Sequence, residues 1–220
     1  MSAFAVVPVK NLLKSKTRLS NAFTIQERPL FTLAMLEDVL NALKCSKIDK
    51  TVVVSSDSTV EAFVKNFGMT FLLETEEGLN KALNQATRWC LQNKAELVLA
   101  LPADAPLITS KNVDELLRLA QKNSVVVSPS QNGGTNALLQ TPPCIVSPCF
   151  GPDSFKRHIG KARAKNVRVK IYVSANVMFD IDSEGDLEHI LKMGQKTVSY
   201  NFLKQKVLAT VAPPSDSCRD

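Results

Sequence analysis

Short apolar runs alternate with stretches of helical periodicity over the first 128 residues. Runs rich in valine and leucine predict strands at residues 4–9, 51–55, 69–73, 96–101 and 124–128. Apolar positions at helical spacing predict helices at residues 28–44, 59–66, 79–92 and 111–121. Strands that are apolar on both faces and linked by helices are typical of a parallel sheet covered on both sides. With right-handed crossovers, the pattern predicts an α/β fold with a Rossmann-like, doubly wound sheet.

The alternation loosens after residue 129, where a turn-rich loop and a proline-rich stretch follow. Beyond them the pattern predicts a helix from Asp153 to about Ala164, a strand at 168–173 and a short helix at 186–193. Asp153 or Ser154 is expected to cap the first of these helices, leaving its N-terminal amides free for an anion. Adjacent prolines and small polar residues are typical of a disordered tail. We therefore expect one domain over residues 1–208 and a disordered tail over residues 209–220.

Composition favours a globular protein with a substantial core. Apolar residues make up 45% of the 220 positions, and no apolar run approaches the ~20 residues that cross a bilayer. The apolar run at residues 3–9 is too short for a secretion signal and has no basic segment before it. Five cysteines without a Cys-x-x-Cys pair, and two histidines, disfavour a zinc site or a disulfide framework. We expect a cytoplasmic protein without membrane contact.

The net charge of +6 is concentrated in two stretches that contain no acidic residue. Residues 1–26 carry four cations and residues 154–179 carry seven. Such stretches attract either an anionic small molecule or a nucleic acid. A nucleic acid is the weaker alternative, because no DNA-binding motif is present and Trp89, Tyr172 and Tyr200 are scattered. His158, inside the second stretch, is expected at the surface or facing a phosphate.

One aspartate stands where a buried strand is predicted to end. Asp104 lies between two prolines in Pro102-Ala103-Asp104-Ala105-Pro106, directly after an apolar run. In parallel sheets ligands bind at the carboxyl ends of the strands, and a carboxylate there can hold Mg²⁺ and, through it, phosphate oxygens. The plainer alternative is a turn aspartate that caps the next helix.

A basic loop follows the first predicted strand at the same edge of the sheet. The strand ends in Pro8-Val9-Lys10, and Lys16-Thr17-Arg18-Leu19 follows. Lysine ammonium groups, an arginine fork and loop amides can share the charge of a triphosphate. Neither the dinucleotide fingerprint nor a Walker A sequence is present, so an ordinary solvated loop is the alternative.

Acidic residues recur near the C-terminus in Asp180-Ile181-Asp182. The segment starts like a calcium loop, but its twelfth position is Leu191 rather than glutamate, which excludes that interpretation. Two compatible interpretations are left. The carboxylates join Asp104 as metal ligands, and they form the acidic N-terminus of a helix that Ser183 caps.

Seven segments, taken in order, carry a resemblance to a known family. They are Pro8-Val9-Lys10, Lys16-Thr17-Arg18-Leu19, Gly78-Leu79-Asn80, Pro102-Ala103-Asp104-Ala105-Pro106, Gly134-Thr135-Asn136, Phe150-Gly151-Pro152-Asp153-Ser154-Phe155 and Asp180-Ile181-Asp182. Over about residues 3–205 the chain resembles the 2-phospho-L-lactate guanylyltransferases, relatives of the molybdenum-cofactor guanylyltransferases that act in coenzyme F-420 biosynthesis. The resemblance implies a glycosyltransferase-A-like nucleotidyltransferase fold, with a Rossmann-like, doubly wound, mixed and mostly parallel sheet. It also implies the reaction of GTP with 2-phospho-L-lactate. The products would be lactyl-2-diphospho-5′-guanosine and pyrophosphate, and we expect a homodimer.

Carried over by position, the resemblance implies a role for each group of residues. The implied nucleotide contacts are Pro8, Val9, Lys10, Lys16, Arg18 and Asn80. The implied catalytic residues are Lys16, Arg18 and Asp104, and the implied Mg²⁺ ligands are Asp104, Asp182 and Asp180. The implied contacts of the phosphorylated acid are Thr135, Gly151 and Ser154. The chain departs from the family at Asp153, where glycine is usual, and at Ser183-Glu184-Gly185, where Thr-Pro-Glu is common.

Two other functions agree with the same residues. One is a nucleotidyltransferase for phosphoenolpyruvate, 3-phosphoglycerate or a sugar phosphate, and the other is a catalytically silent nucleotide-binding regulator. The transferase reaction needs no general base, because a phosphate monoester is largely ionised near neutral pH. That agrees with the small number of histidines.

Overall fold

The strands form one sheet in which all but one run in the same direction. The computed structural model describes residues 1–211. Within them the strands are β1 (Ala3–Pro8), β2 (Lys50–Ser55), β3 (Thr70–Leu73), β4 (Leu97–Ala100), β5 (Ser124–Pro129), β6 (Thr135–Thr141) and β7 (Arg168–Ile171). Their order is β3-β2-β1-β4-β6-β5-β7, and only β6 is antiparallel to its neighbours β4 and β5. The predicted mixed, mostly parallel sheet is confirmed.

Helices connect the strands and cover both faces of the sheet. They are α1 (Glu27–Lys44), α2 (Ser58–Asn66), α3 (Leu79–Gln92), α4 (Ser110–Leu119), α5 (Ser154–Ala164), α6 (Ala175–Met178), α7 (Glu184–Met193) and α8 (Val198–Val211). The sequence pattern predicted α1 to α5 and α7, but it missed α6 and α8. Of the tail predicted to be disordered, residues 212–220 lie outside the described residues. None of the described helices is both long and apolar enough to cross a membrane.

The core consists of two layers, because successive strand residues point to opposite faces of the sheet. Val7 and Val53 pack on one face in a cluster with Leu40 of α1. Val6 and Val52 pack on the other face, in a cluster that includes residues of α3 and α5. This arrangement explains why the strands are apolar at nearly every position.

A third apolar cluster fixes the basic loop beside the acidic C-terminal segment. Leu19 of the loop is fully buried in it, together with Phe31 of α1 and Ile181. Phe23 and Phe31 stack with 4.7 Å between their ring centroids. Since Lys16 and Asp182 lie next to these anchors in the sequence, the cluster brings both toward the same place.

A buried carboxylate on α1 holds the start of α8. Asp38 accepts hydrogen bonds from the amides of Val198 at 2.7 Å and Ser199 at 3.0 Å, and from the Ser199 hydroxyl at 2.6 Å. Burial raises the pKa of Asp38, and the bonds from Ser199 and Val198 oppose that shift. Asp38 therefore caps a helix that lies far away in the sequence.

We expect Asp38→Ala to lower the free energy of unfolding by about 2–3 kcal/mol, because a helix cap and hydrogen bonds to a charged group are lost together. Urea denaturation monitored by circular dichroism measures the change. The adjacent carboxyl gives the control, Glu37→Ala, since no hydrogen bond to the Glu37 side chain is found within residues 1–208. Equal losses in the two variants would contradict the capping role.

Candidate active site

A cleft of about 1000 Å³ opens at one edge of the sheet. The parallel strands β1 to β5 end there, and the antiparallel β6 begins there. Many of the residues that line it therefore follow β1, β2, β3, β4 and β5, or lie at the start of β6; these include Val9, Ser56, Glu74, Asp104, Ser130 and Thr135. This is the edge at which the sequence placed Asp104.

Two carboxylates and an ammonium group meet beyond the end of β4. Lys16 Nζ donates to Asp104 Oδ2 at 2.6 Å, to Asp182 Oδ1 at 3.2 Å and to the carbonyl of Ile181. Burial by itself lowers the pKa of Lys16, but the charges of Asp104 and Asp182 outweigh it, so the pKa is raised. Lys16 therefore stays charged between the two carboxylates.

A main-chain hydrogen bond joins the two acidic segments. The amide of Ile181 donates to the carbonyl of Asp104 at 3.0 Å, and the Ile181 side chain is fully buried. Asp182 lies just before α7, where its amide donates to the Asp186 carboxylate at 3.0 Å and Ser183 occupies the N-cap position. The acidic segment is thus both a partner of Asp104 and a helix start, as the sequence predicted.

Asp180 lies in the same cleft but has a different partner. Its Oδ1 accepts a hydrogen bond from Asn136 Nδ2 at 3.0 Å. Burial raises the pKa of Asp180 to about 6, with a further contribution from the charges of Asp104 and Asp182 and an opposing one from Asn136. A cation bound between these carboxylates would lower that pKa.

The oxygen atoms around Lys16 Nζ are of the kind that bind Mg²⁺. They are two carboxylates and a main-chain carbonyl, the oxygen ligands that hard cations prefer. In the part of the chain that the structure describes, no three acidic, histidine or cysteine side chains converge as metal ligands, and Lys16 lies between Asp104 and Asp182. The residues fit Mg²⁺ once the Lys16 ammonium moves toward another anion.

Hydrogen bonds anchor the middle of the basic loop, and some of its cationic side chains are exposed. The amide of Leu12 donates to Asp57 Oδ2 at 2.9 Å, and the Ser15 hydroxyl bonds to the carbonyl of Leu12 at 2.7 Å. Lys10 and Arg18 are exposed and line the cleft, and none of residues 1–208 forms an ion pair with Arg18. Five of the six predicted nucleotide contacts line the cleft: Pro8, Val9, Lys10, Lys16 and Arg18.

The remaining predicted nucleotide contact, Asn80, does not line the cleft. Its Nδ2 donates to the carbonyl of Phe150 at 3.1 Å, and its Oδ1 accepts from the Phe150 amide at 2.7 Å. The side chain therefore joins α3 to the loop that carries Gly151. The Asn80 side chain thus holds the backbone of Phe150 through both of its polar atoms.

The structure brings Thr135, Gly151 and Ser154 together on the wall of the cleft away from the basic loop, because β6 lies on the other side of β4 from β1. Ser154 Oγ donates to Thr135 Oγ1 at 3.1 Å. Gly151 has φ +122°, a conformation that side chains rarely permit, and a Cβ there would lie 3.6 Å from Arg157 Nη2. This wall thus combines two hydroxyls with a nearby guanidinium, which suits an anionic ligand.

Helix α5 begins as predicted but without the predicted cap. Asp153 occupies the N-cap position at φ 53° and makes no side-chain capping bond, while the Ser154 hydroxyl is used by Thr135. The first amides are also occupied, because those of Ser154 and Phe155 donate to the carbonyls of Gly151 and Gly133. The expectation of free helix amides was wrong, and an anion meets hydroxyls here instead.

The basic stretch on α5 has a structural role that the sequence did not reveal. Basic side chains at every fourth position donate hydrogen bonds to the main-chain carbonyl oxygens of every second residue in the preceding loop. The bonds are Arg157 to Cys149 at 2.8 Å, Lys161 to Ser147 at 3.4 Å and Lys165 to Ile145 at 3.1 Å. His158, expected at the surface or facing a phosphate, is fully buried and does not line the cleft. These cations fix the wall that carries Gly151.

Comparison with known sequences gives a match over nearly the whole chain. Residues 3–219 match the family described as guanylyl transferase CofC like. A phosphoenolpyruvate guanylyltransferase of Rubrobacter xylanophilus is 40% identical, with 88% of this chain and 96% of the relative covered. A 2-phospho-L-lactate guanylyltransferase of Methanothermobacter thermautotrophicus is 36% identical, with 100% of this chain and 97% of the relative covered.

Solved structures confirm the fold at low sequence identity. A putative nucleotide-diphospho-sugar transferase from Desulfovibrio desulfuricans superimposes with a TM-score of 0.81 at 15% identity, covering 94% of this chain and 96% of that one. A cytidylyltransferase from Leptospira borgpetersenii gives a TM-score of 0.60 at 16% identity, covering 96% and 95%. The chain therefore has the nucleotidyltransferase fold that the resemblance implied.

Proposed function

Because the chain belongs to the family of CofC-like guanylyl transferases, we propose that it transfers the guanylyl group of GTP to 2-phospho-L-lactate. The products are lactyl-2-diphospho-5′-guanosine and pyrophosphate. The observation that carries this proposal is the cleft itself, with the ammonium and carboxylate cluster on one side and the Thr135–Ser154 hydroxyls on the other. Such a cleft offers separate contacts to two anionic substrates. The expected cytoplasmic location and the homodimer stay predictions.

The basic loop receives the triphosphate. Lys10 and Arg18 face the cleft, and Lys16 exchanges its carboxylate partners for phosphate oxygens. Asp104 and Asp182 are then free to hold Mg²⁺, with Asp180 beside them. When bound, the ion would reduce the electrostatic repulsion between the two anionic substrates, which must approach each other. Asp104 and Asp182 would thus lie next to a cation both before GTP binds, when it is Lys16, and afterwards, when it would be Mg²⁺.

The acceptor lies against Thr135, Ser154 and Gly151. The Thr135 hydroxyl donates to its oxygens, the buried Ser154 hydroxyl supports Thr135, and the absence of a side chain at Gly151 lets the backbone approach closely. An oxygen of the acceptor phosphate attacks the α-phosphorus of GTP, the bond from the α-phosphorus to the bridging oxygen breaks, and pyrophosphate leaves. Lys16 and Arg18 stabilise the charge that develops on the leaving pyrophosphate. No proton has to be removed from an ionised acceptor.

Phosphoenolpyruvate is a second candidate acceptor, favoured by the 40% identity to the phosphoenolpyruvate guanylyltransferase of Rubrobacter xylanophilus. Both acids carry a carboxylate and a phosphate ester on neighbouring carbon atoms, and they differ in whether the ester carbon is tetrahedral or planar. The same hydroxyl donors suit either compound.

The proposal is tested with a panel of the common ribonucleoside triphosphates against 2-phospho-L-lactate, phosphoenolpyruvate, 3-phosphoglycerate and glucose 1-phosphate. Pyrophosphate release is measured for each pair. We expect the highest rate with GTP and 2-phospho-L-lactate. A higher kcat/KM with phosphoenolpyruvate would identify phosphoenolpyruvate as the acceptor in place of 2-phospho-L-lactate. If no pair released pyrophosphate, the enzymatic function would be refuted in favour of a nucleotide-binding regulator.

We expect Ser154→Ala to raise the KM for 2-phospho-L-lactate about tenfold, because Thr135 loses the hydrogen bond that helps to orient its hydroxyl toward the acceptor. The KM for GTP should not change, because Ser154 lies on the opposite wall from the basic loop. Steady-state pyrophosphate release at varied concentrations of each substrate measures both constants. Ser58→Ala on the exposed start of α2 is the control, and an equal rise in both KM values would contradict the assignment.

A further inference from the structure

A buried histidine lies behind the acceptor wall and takes no part in the reaction described above. Both ring nitrogens of His158 are hydrogen-bonded, Nε2 to the amide of Cys149 at 3.0 Å and Nδ1 to the hydroxyl of Thr135 at 3.0 Å. The ring of Phe150 lies edge-on to the imidazole, with 5.0 Å between centroids. The imidazole is therefore a fixed link between the loop before α5 and the first residue of β6.

The main-chain partner decides which ring nitrogen carries the proton. The Cys149 amide can only donate, so His158 Nε2 accepts and carries no hydrogen. Burial, with the nearby charges of Lys161 and Arg157, lowers the pKa of His158 to about 4 against an opposing hydrogen bond to the backbone of Ser154, so the ring is neutral near neutral pH. A neutral imidazole with a bare Nε2 has its proton on Nδ1. His158 therefore donates to Thr135.

This donation fixes the direction of the Thr135 hydroxyl. Thr135 Oγ1 also accepts from the Ser154 hydroxyl at 3.1 Å, so both of its lone pairs are used. Within residues 1–208 its own proton has no acceptor, and Thr135 lines the cleft. The proton is therefore available to a ligand. With the opposite tautomer, Thr135 would donate to His158 and have one lone pair, and no proton, left for a ligand.

We propose that His158 is a positioning residue for the acceptor, which keeps the Thr135 hydroxyl as a donor toward an anionic oxygen of the phosphorylated acid. The inference rests on the proposed function, which places that acid at Thr135. Carboxylate and ionised phosphate oxygens only accept hydrogen bonds, so a donor of fixed direction favours them over a neutral hydroxyl. His158 thus contributes to acceptor recognition without touching the acceptor.

Two substitutions separate the two hydrogen bonds of the imidazole. His158→Asn places an amide group near the position of Nδ1, so it can still donate to Thr135. His158→Gln places its amide near the position of Nε2, so it keeps the bond to Cys149 and leaves Thr135 without its donor. We expect His158→Gln to raise the KM for 2-phospho-L-lactate about tenfold and His158→Asn to raise it less than about threefold. The KM for GTP should stay unchanged in both.

Thr135→Val supplies the matched background, because it removes the hydroxyl on which His158 acts. In this background His158→Gln should cause no further rise in the acceptor KM, since coupled residues give non-additive effects. A further tenfold rise, the reverse order of the two His158 variants, or equal changes in both KM values would overturn the proposal.

Nitrogen NMR of the full chain, labelled in its histidines, tests the proton position without turnover. The chain has two histidines, and His189 is exposed, so His189→Gln identifies the His158 signals. We expect the proton on Nδ1 of His158, and a proton on Nε2 would overturn the proposal. Wild-type protein with the expected tautomer but no turnover of any phosphorylated acid would refute the proposed function, and with it this role.

Discussion

Replacement of Asp104 by asparagine should lower kcat at least about a hundredfold while the fold persists. The amide has nearly the shape of the carboxylate but lacks its charge, so Lys16 loses its closest anionic partner and Mg²⁺ loses a ligand. Loss of a metal's contribution to transition-state charge costs several kcal/mol, and each ~1.4 kcal/mol changes the rate tenfold. Pyrophosphate release with saturating GTP and 2-phospho-L-lactate measures kcat.

Asp153→Asn is the matched control for Asp104→Asn. Asp153 is an exposed aspartate at the start of α5 that does not line the cleft, so its substitution should leave kcat within about twofold of wild type. Thermal unfolding of both variants shows whether the fold persists. A folded Asp104→Asn variant with near-normal kcat would remove Asp104 from the mechanism.

Lys16→Met should lower kcat/KM for GTP about ten- to a hundredfold. Methionine keeps about the length of the lysine stem but lacks the ammonium that we expect to bind the triphosphate, and a charge-assisted hydrogen bond contributes about 1.5–3 kcal/mol. The substitution also leaves Asp104 and Asp182 facing each other without their shared cation. The KM for 2-phospho-L-lactate should change far less, because the acceptor wall lies elsewhere.

Lys14→Met is the control for Lys16→Met. Lys14 belongs to the same loop, but its side chain is 76% exposed and pairs at 3.6 Å with Glu77, which is 91% exposed. Such surface ion pairs contribute little. Equal losses of kcat/KM in the two variants would assign the effect to the overall charge of the loop rather than to Lys16.

The parallel strands could be predicted because they are apolar on both faces and the turns between them are clear, whereas the antiparallel β6 was not among the predicted strands. Asp104 could be placed for the same reason, since the end of a buried strand fixes where the next side chain emerges. Helix α8 was missed because its apolar residues do not form one face, so periodicity gives no signal. Its position depends on Asp38, 160 residues earlier in the chain.

The pairing of Asp104 with Asp182 was one of two interpretations of the acidic segment, and the family resemblance supported it. It depends on a main-chain bond between Ile181 and Asp104 and on the burial of Ile181, which no sequence window contains. The roles of the polar side chains around the proposed acceptor site were harder still to predict from the sequence. Asn80 and His158 have no local pattern that shows whether they face a ligand or hold a backbone, and both hold the loop before α5.

The central claim is that the chain transfers a guanylyl group, and GTP with radioactive phosphorus at the α position tests it most directly. After incubation with 2-phospho-L-lactate, the nucleotides and pyrophosphate are separated and counted. The account predicts that the label moves into a new species that co-migrates with lactyl-2-diphospho-5′-guanosine, while the pyrophosphate stays unlabelled. Label that is found only in GTP, GDP or GMP, with no acceptor-dependent product, would contradict it.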